Sequence, residues 1–132
     1  MCGDFNTRVG SKAPHFDDTC LGRTSRDPRV CSRAPWLLGL CNLHHLHILN
    51  GSSPGPPAQF TYTGLWGSSV VDYILSTEGT LPVAHHPADT LGDTNHALLL
   101  THFPVRTLPT PAARPQPQRT LYKWVQGTST QD

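Results

Sequence analysis

Proline and glycine cut this chain into short segments before any other feature acts on it. With 13 Pro and 11 Gly among 132 residues, helical turns and strand ladders are interrupted repeatedly, so only short elements joined by loops can form. Hydrophobic residues make up 36% and charged residues 14% of the chain, which leaves less core material than an average domain has. The length supports one modest domain, and its stability is expected to be marginal.

Several segments between the interruptions carry a period. Ala34-Pro35 places proline where a first helical turn tolerates it, and Trp36, Leu40 and Leu43 follow at helical spacing. A helix of roughly ten residues is predicted there. Leu46 to Leu49 shifts to an extended pattern before the turn pair Asn50-Gly51 and the Pro/Gly/Ser segment from Ser52 to Pro57. Phe60 to Thr63 and Ser69 to Ser76 read as two strands of a hairpin joined through Gly64-Leu65-Trp66-Gly67. On the second of these Val70, Asp72 and Ile74 share one face, so Asp72 is a lone carboxylate in an apolar strand and needs a partner. A further strand is expected over Leu81 to His85. Asn95 to His102 contains the run Ala97-Leu98-Leu99-Leu100, the pattern of a strand buried on both faces. Residues 1 to 10 read as a strand end closed by glycine, and residues 11 to 33, which show no period, as a long surface loop. Beyond Pro104 the composition turns to Pro, Thr, Arg and Gln, so residues 106–132 are expected to be a Pro-rich flexible tail or linker after a domain over 1–105. Leu121-Tyr122-Lys123-Trp124 would either dock back on that domain or begin a further unit.

Charge and cysteine usage narrow the setting. A formal net charge of +1 gives no basic field that would by itself demand nucleic acid, nor does it exclude one. Cys2, Cys20, Cys31 and Cys41 lack the short paired spacing of a zinc site, and no secretory signal or membrane-length apolar run accompanies them. Reduced thiols in an intracellular protein with no membrane partner are the expectation. Within His44-His45-His47 a strand would put only His45 and His47 on one face, so the cluster reads as a polar helix end running into a strand rather than as a metal site. His85-His86 read as loop residues. Tyr62 and Trp66 are of the type that stacks on bases, but in a strand pair such residues are more often core.

Three short motifs carry chemistry. In Gly3-Asp4-Phe5-Asn6, an apolar residue between two polar ones reads as a strand end presenting a carboxylate beside a carboxamide. The carboxylate suits a hard cation or an attacking water, and the carboxamide can donate to a phosphate oxygen without adding repulsive charge. Taken alone, Asp4 and Asn6 read as readily as a turn. They are followed, however, by Ser69-Val70-Val71-Asp72-Tyr73 and by Thr94-Asn95-His96. The ordered set resembles the last three motifs of the endonuclease/exonuclease/phosphatase superfamily, Gly-Asp-Phe/Leu-Asn, Ser-x-x-x-Asp-Tyr and Ser-Asp-His. Leu37-Leu38-Gly39-Leu40-Cys41 and Ile48-Leu49-Asn50-Gly51 between them look most like the endonuclease domains of non-LTR retrotransposon (reverse transcriptase) proteins.

This resemblance, over about residues 2 to 105, implies an α/β (α+β) fold, the C-terminal half of a four-layer α/β/β/α sandwich with a mostly antiparallel sheet. It implies that Asp4 orients or deprotonates the attacking water and Asn6 contacts the scissile phosphate. Asp72 would hold His96, whose protonated ring would face developing phosphorane charge. Mg²⁺ or Mn²⁺ is the implied cofactor, with Asp4 and Asn95 as ligands, and DNA the implied partner, in the nucleus if the chain is a retrotransposon product. Asn95 stands where the family has Asp, removing one negative charge from the metal site; Asp93, two residues earlier, would share its face if both were extended. The family's principal metal-binding Glu belongs to a first half-domain. The only Glu here is Glu78, at a spacing that does not match. The expectation is therefore a half-domain of a metal-dependent phosphodiesterase, inactive as an isolated chain unless the other half or a reverse transcriptase context supplies the rest. A non-catalytic remnant or binding module, and a phosphatase of the same superfamily, are the alternatives. An uncovered sheet face and low solubility would follow.

Overall fold

Short elements are what the chain builds. The computed structural model describes residues 1–105. Its elements are β1 Cys2–Asp4, α1 Ala34–Leu43, β2 His47–Ile48, β3 Tyr62–Gly64, β4 Gly67–Ser69, β5 Asp72–Ser76, β6 Val83–His86 and β7 Leu98–Thr101, with one 3₁₀ turn at Ala88–Thr90. The Pro-rich tail expected at 106–132, including Leu121 to Trp124, lies outside the described residues. The fold is mixed α+β, and its paired strands are antiparallel.

A three-stranded sheet in the order β1-β5-β2 forms the centre, and α1 covers it. Pro35 sits in the first turn of α1 as expected, but the inward stripe is Ala34, Leu37 and Cys41. Trp36 and Leu43, placed on the apolar face by spacing, are 55% and 75% exposed. Ala34 and Cys41 are small enough to bring the helix close to Ile48, Tyr73 and Leu75, and with Val9, Ala58 and Val70 these residues form the core.

The hairpin is present, with Leu65 and Trp66 at its tip, but it joins β3 to β4, which stops at Ser69. The single strand expected from Ser69 to Ser76 is broken at Val70-Val71, and β5 pairs instead with β1 and β2. Side chains cause the break by taking over the backbone donors. The amide of Val70 donates to Asp27 Oδ2 at 3.0 Å, and those of Val71 and Asp72 both donate to the Thr61 hydroxyl at 3.0 Å. Trp66 is fully exposed at the turn, which overturns its reading as core.

Residues 11–33 are irregular and mostly exposed, as expected of a surface loop, but buried residues anchor the loop to the core. Arg23 and Asp27 are 6% and 1% exposed. Arg23 donates through Nε to Asn50 O (2.9 Å) and through Nη1 to Gly10 O (3.1 Å) and Lys12 O (2.7 Å), and it lies 5.8 Å from the centre of the Tyr73 ring. These bonds staple the segment under the Asn50-Gly51 turn, where Gly51 has φ +85° and a side chain would collide with Thr24 O.

The last two strands form a separate pair, His86 opposite Leu98 through Val83 opposite Thr101. The apolar run is not buried on both faces, because Leu98 and Leu100 remain 43% and 41% exposed. Nor are His85 and His86 loop residues. They lie in β6, where His85 Nε2 is 2.8 Å from Phe60 O.

Candidate functional site

The site starts where β1 stops. Asn6 adopts φ +45°, a left-handed conformation that Asn tolerates better than most residues, and its amide donates to Asp4 Oδ1 at 2.7 Å. A turn, not strand alternation, therefore brings carboxylate and carboxamide together. Phe5 anchors the turn: its amide donates to Val71 O at 2.9 Å, and its ring lies 6.1 Å from that of Tyr73.

Asp4 sits directly opposite Asp72 in the β1–β5 register. Residues so paired project on the same face, and two carboxylates there repel each other. A third group relieves part of this repulsion, since His96 Nδ1 lies 2.9 Å from Asp72 Oδ2. The partner anticipated for the lone Asp72 is thus in place. With its proton on Nδ1 the ring donates to Asp72, leaving Nε2 for another contact. One oxygen or nitrogen from each of Asp4, Asp72 and His96 falls within 4.8 Å of the others, the one such grouping of His, Cys, Asp and Glu among the described residues.

His96 reaches this position through β3. Tyr62 and His96 form an isolated antiparallel bridge, Thr63 donates to Asn95 O at 2.9 Å, and Ala97 donates to Thr61 O at 2.8 Å. The Tyr62 ring lies 5.2 Å from the imidazole. Residue 96 therefore precedes β7 and is carried by the hairpin. Behind Asp72, the carboxamide of Asn50 donates to Asp72 O at 3.1 Å and accepts from the Ile74 amide at 3.3 Å.

Asp4, Asn6, Thr7, Arg8, Cys31 and His96 line one cleft of about 460 Å³, within the usual size of ligand pockets. Asn95 is set apart: it lines a different cleft with Gln59, His85 and Asp89. Asp93 is an exposed turn residue beside Gly92, and Glu78 lies beyond the far end of β5, bonded by the Thr80 hydroxyl at 2.9 Å. Within the cleft, burial alone would raise the Cys31 thiol. The Thr7 hydroxyl and the amides of Arg8, Arg33 and Ala34 outweigh burial and lower it to about 7. Sequence reasoning passed over Arg8 and Cys31, read Asn50 only as a turn residue, and gave Thr61 no role beyond β propensity. A signal existed only for Arg8, a cation two residues after the Gly-Asp-Phe-Asn motif.

No protein-family model, no curated protein and no solved structure matches this chain. Among the described residues no helix is long and apolar enough to cross a membrane.

Proposed function

We propose that this chain carries the Asp/Asn/His portion of a divalent-metal-dependent phosphodiesterase site acting on DNA, in a half of the four-layer α/β/β/α sandwich of the endonuclease/exonuclease/phosphatase superfamily. The observation that carries the reading is the meeting of Asp4, Asp72 and His96 from three separated segments, with two like charges held opposite each other. A hard cation fits such a place. Paired carboxylate oxygens in an open cleft match the oxygen-rich, largely hydrated coordination that Mg²⁺ and Mn²⁺ prefer, with Asp4 as the protein ligand not engaged by His96. When bound there, the metal supplies Lewis-acid charge at a phosphoryl oxygen.

The remaining chemistry belongs to the side chains. Asp4 orients the attacking water and accepts its proton, and the side-chain carboxamide of Asn6 donates to a non-bridging phosphate oxygen. Asp72 fixes the orientation of the His96 ring, which faces negative charge as it develops on phosphorus. Arg8 adds positive charge to the same cleft.

Supercoiled DNA with Mg²⁺ or Mn²⁺ at millimolar concentration tests the proposal. Mn²⁺ broadening of the His96 ring signals in NMR is expected, with at most trace nicking from the isolated chain, which Asp4→Ala and His96→Ala each abolish. Nicking that survives both substitutions would be a contaminant's. A chain that neither nicks nor binds Mn²⁺ is the non-catalytic remnant, a reading favoured by the sparse carboxylate supply around Asp4.

A further inference from the structure

Arg8 is tied to the fold along one edge of its guanidinium only. Its guanidinium is gripped on one edge by Asp27, with Nε donating to Oδ2 and Nη2 to Oδ1, both at 2.7 Å, and Nη2 reaching Ser68 O at 3.4 Å. Asp27 is itself fixed, 1% exposed and bonded by the amides of Val70 at 3.0 Å and Arg29 at 3.1 Å. The remaining nitrogen, Nη1, makes no hydrogen bond to the described residues, yet it is not enclosed. The side chain as a whole is 24% exposed. Arg8 is therefore a cation whose one edge is clamped and whose other edge reaches solvent.

The place where that edge emerges gives it meaning. Arg8, Tyr62 and Ser69 line the Asp4–His96 cleft and also a second cleft that holds Arg29 and Trp66. The two clefts adjoin along these shared residues, so Arg8 stands at their junction. A strand of phosphodiesters with one phosphate at Asn6 would lay a neighbouring phosphate along this junction, and planar guanidinium edges suit phosphate oxygens. Because Asp27 already orders the side chain, little rotamer entropy remains to be lost on contact.

We propose that Arg8 is a positioning residue that binds the phosphate next to the scissile one, so that the site takes a polynucleotide backbone in preference to an isolated phosphomonoester. This proposal rests on the phosphodiesterase reading above, but its test is binding, which needs no turnover.

The measurement is fluorescence anisotropy of a labelled 20-nucleotide DNA strand with the full chain in Mg²⁺-free buffer, across a salt series. Arg8→Gln is expected to weaken binding three- to tenfold and to reduce the slope of log K against log salt by about 0.7, the signature of one lost phosphate contact on a single strand. Arg8→Lys, which keeps the charge, should restore the slope. Should Arg8→Gln unfold by leaving a buried carboxylate unpaired, the double variant Arg8→Gln/Asp27→Asn replaces the ion pair with an amide pair. That variant keeps the wild-type net charge, so an effect of overall charge predicts no change, whereas the local contact predicts the same loss of slope. Wild-type affinity and slope in a folded Gln or double variant would overturn the proposal. Absence of both nicking and Mn²⁺ binding in the wild type, with a slope that still depends on Arg8, would remove the catalytic reading and leave the phosphate contact standing.

Discussion

The Cys31 thiol titrates near 7 because donors surround it on a side that burial only partly closes, so at neutral pH about half of it is thiolate. Cys41, on the inner face of α1, is pushed up to about 11 by burial, only partly offset by Arg23. The pair makes an internal control. Alkylation by iodoacetamide, followed peptide by peptide by mass spectrometry, is expected to rise for Cys31 with a midpoint near 7, while Cys41 stays unmodified until the chain unfolds. Thr7→Val removes the hydroxyl that lies 3.0 Å from the Cys31 sulfur, and should shift the Cys31 midpoint upward, toward the ordinary thiol value of about 8.5. An unmoved midpoint would mean that the backbone amides alone hold the thiolate.

At the scale of elements, the β3–β4 hairpin carries His96 on one side and, through Thr61, the start of β5 on the other. Thr61→Val keeps the shape but strands two amide donors, and should cost about 1–3 kcal/mol in urea unfolding. Trp66→Ala, at the exposed tip, should stay within about 0.5 kcal/mol. Comparable losses at both positions would contradict the packing described. The same hairpin shows where sequence reading succeeds and where it stops. Turn chemistry at Gly64 to Gly67 is local, and it was legible. The break at Val70-Val71 was not, because it depends on Asp27 and Thr61, distant in sequence and close only after folding. For α1 the ends were legible from Pro35, but its face was not. Two small residues beat a larger aromatic for the interior, which spacing alone cannot reveal. In the site, the lone charge of Asp72 signalled its partner, and His96 met it. The like-charge register with Asp4 had no trace in the pattern, since it pairs Asp4 with Asp72, far away in the sequence.

For the molecule as a whole, Asp27 ties the irregular segment to the central sheet, bonding Arg8 after β1, Arg29 in the irregular segment and Val70 before β5. Burial alone would raise its carboxyl. The Arg8 guanidinium and the amides of Val70 and Arg29 outweigh that and hold it below the usual carboxylate range. Since the folded value lies under the unfolded one of about 3.9, the stabilisation is complete at neutral pH and is lost as pH falls below that value toward the folded one. Urea midpoints measured from about pH 5 down to about pH 2.5 should therefore fall more steeply for the wild type than for Asp27→Asn, which has no proton to take up. Asp27→Ala, which removes the acceptor of the Val70 and Arg29 amides and frees Arg8 to solvent, should cost about 1–3 kcal/mol. Tyr73 works across a similar span. Its buried hydroxyl lies 2.8 Å from Val70 O and 3.1 Å from Thr7 O and accepts from the Val9 amide at 3.4 Å, which bolts β5 to the segment leaving β1. That bolt decides more than stability. Side chains alternate along a strand, so sliding β1 by one residue would carry Asp4 to the opposite side of the sheet, away from Asp72 and His96. The site is thus an alignment of two strands before it is a set of residues, and a change that keeps every site side chain but lets β1 creep would erase it.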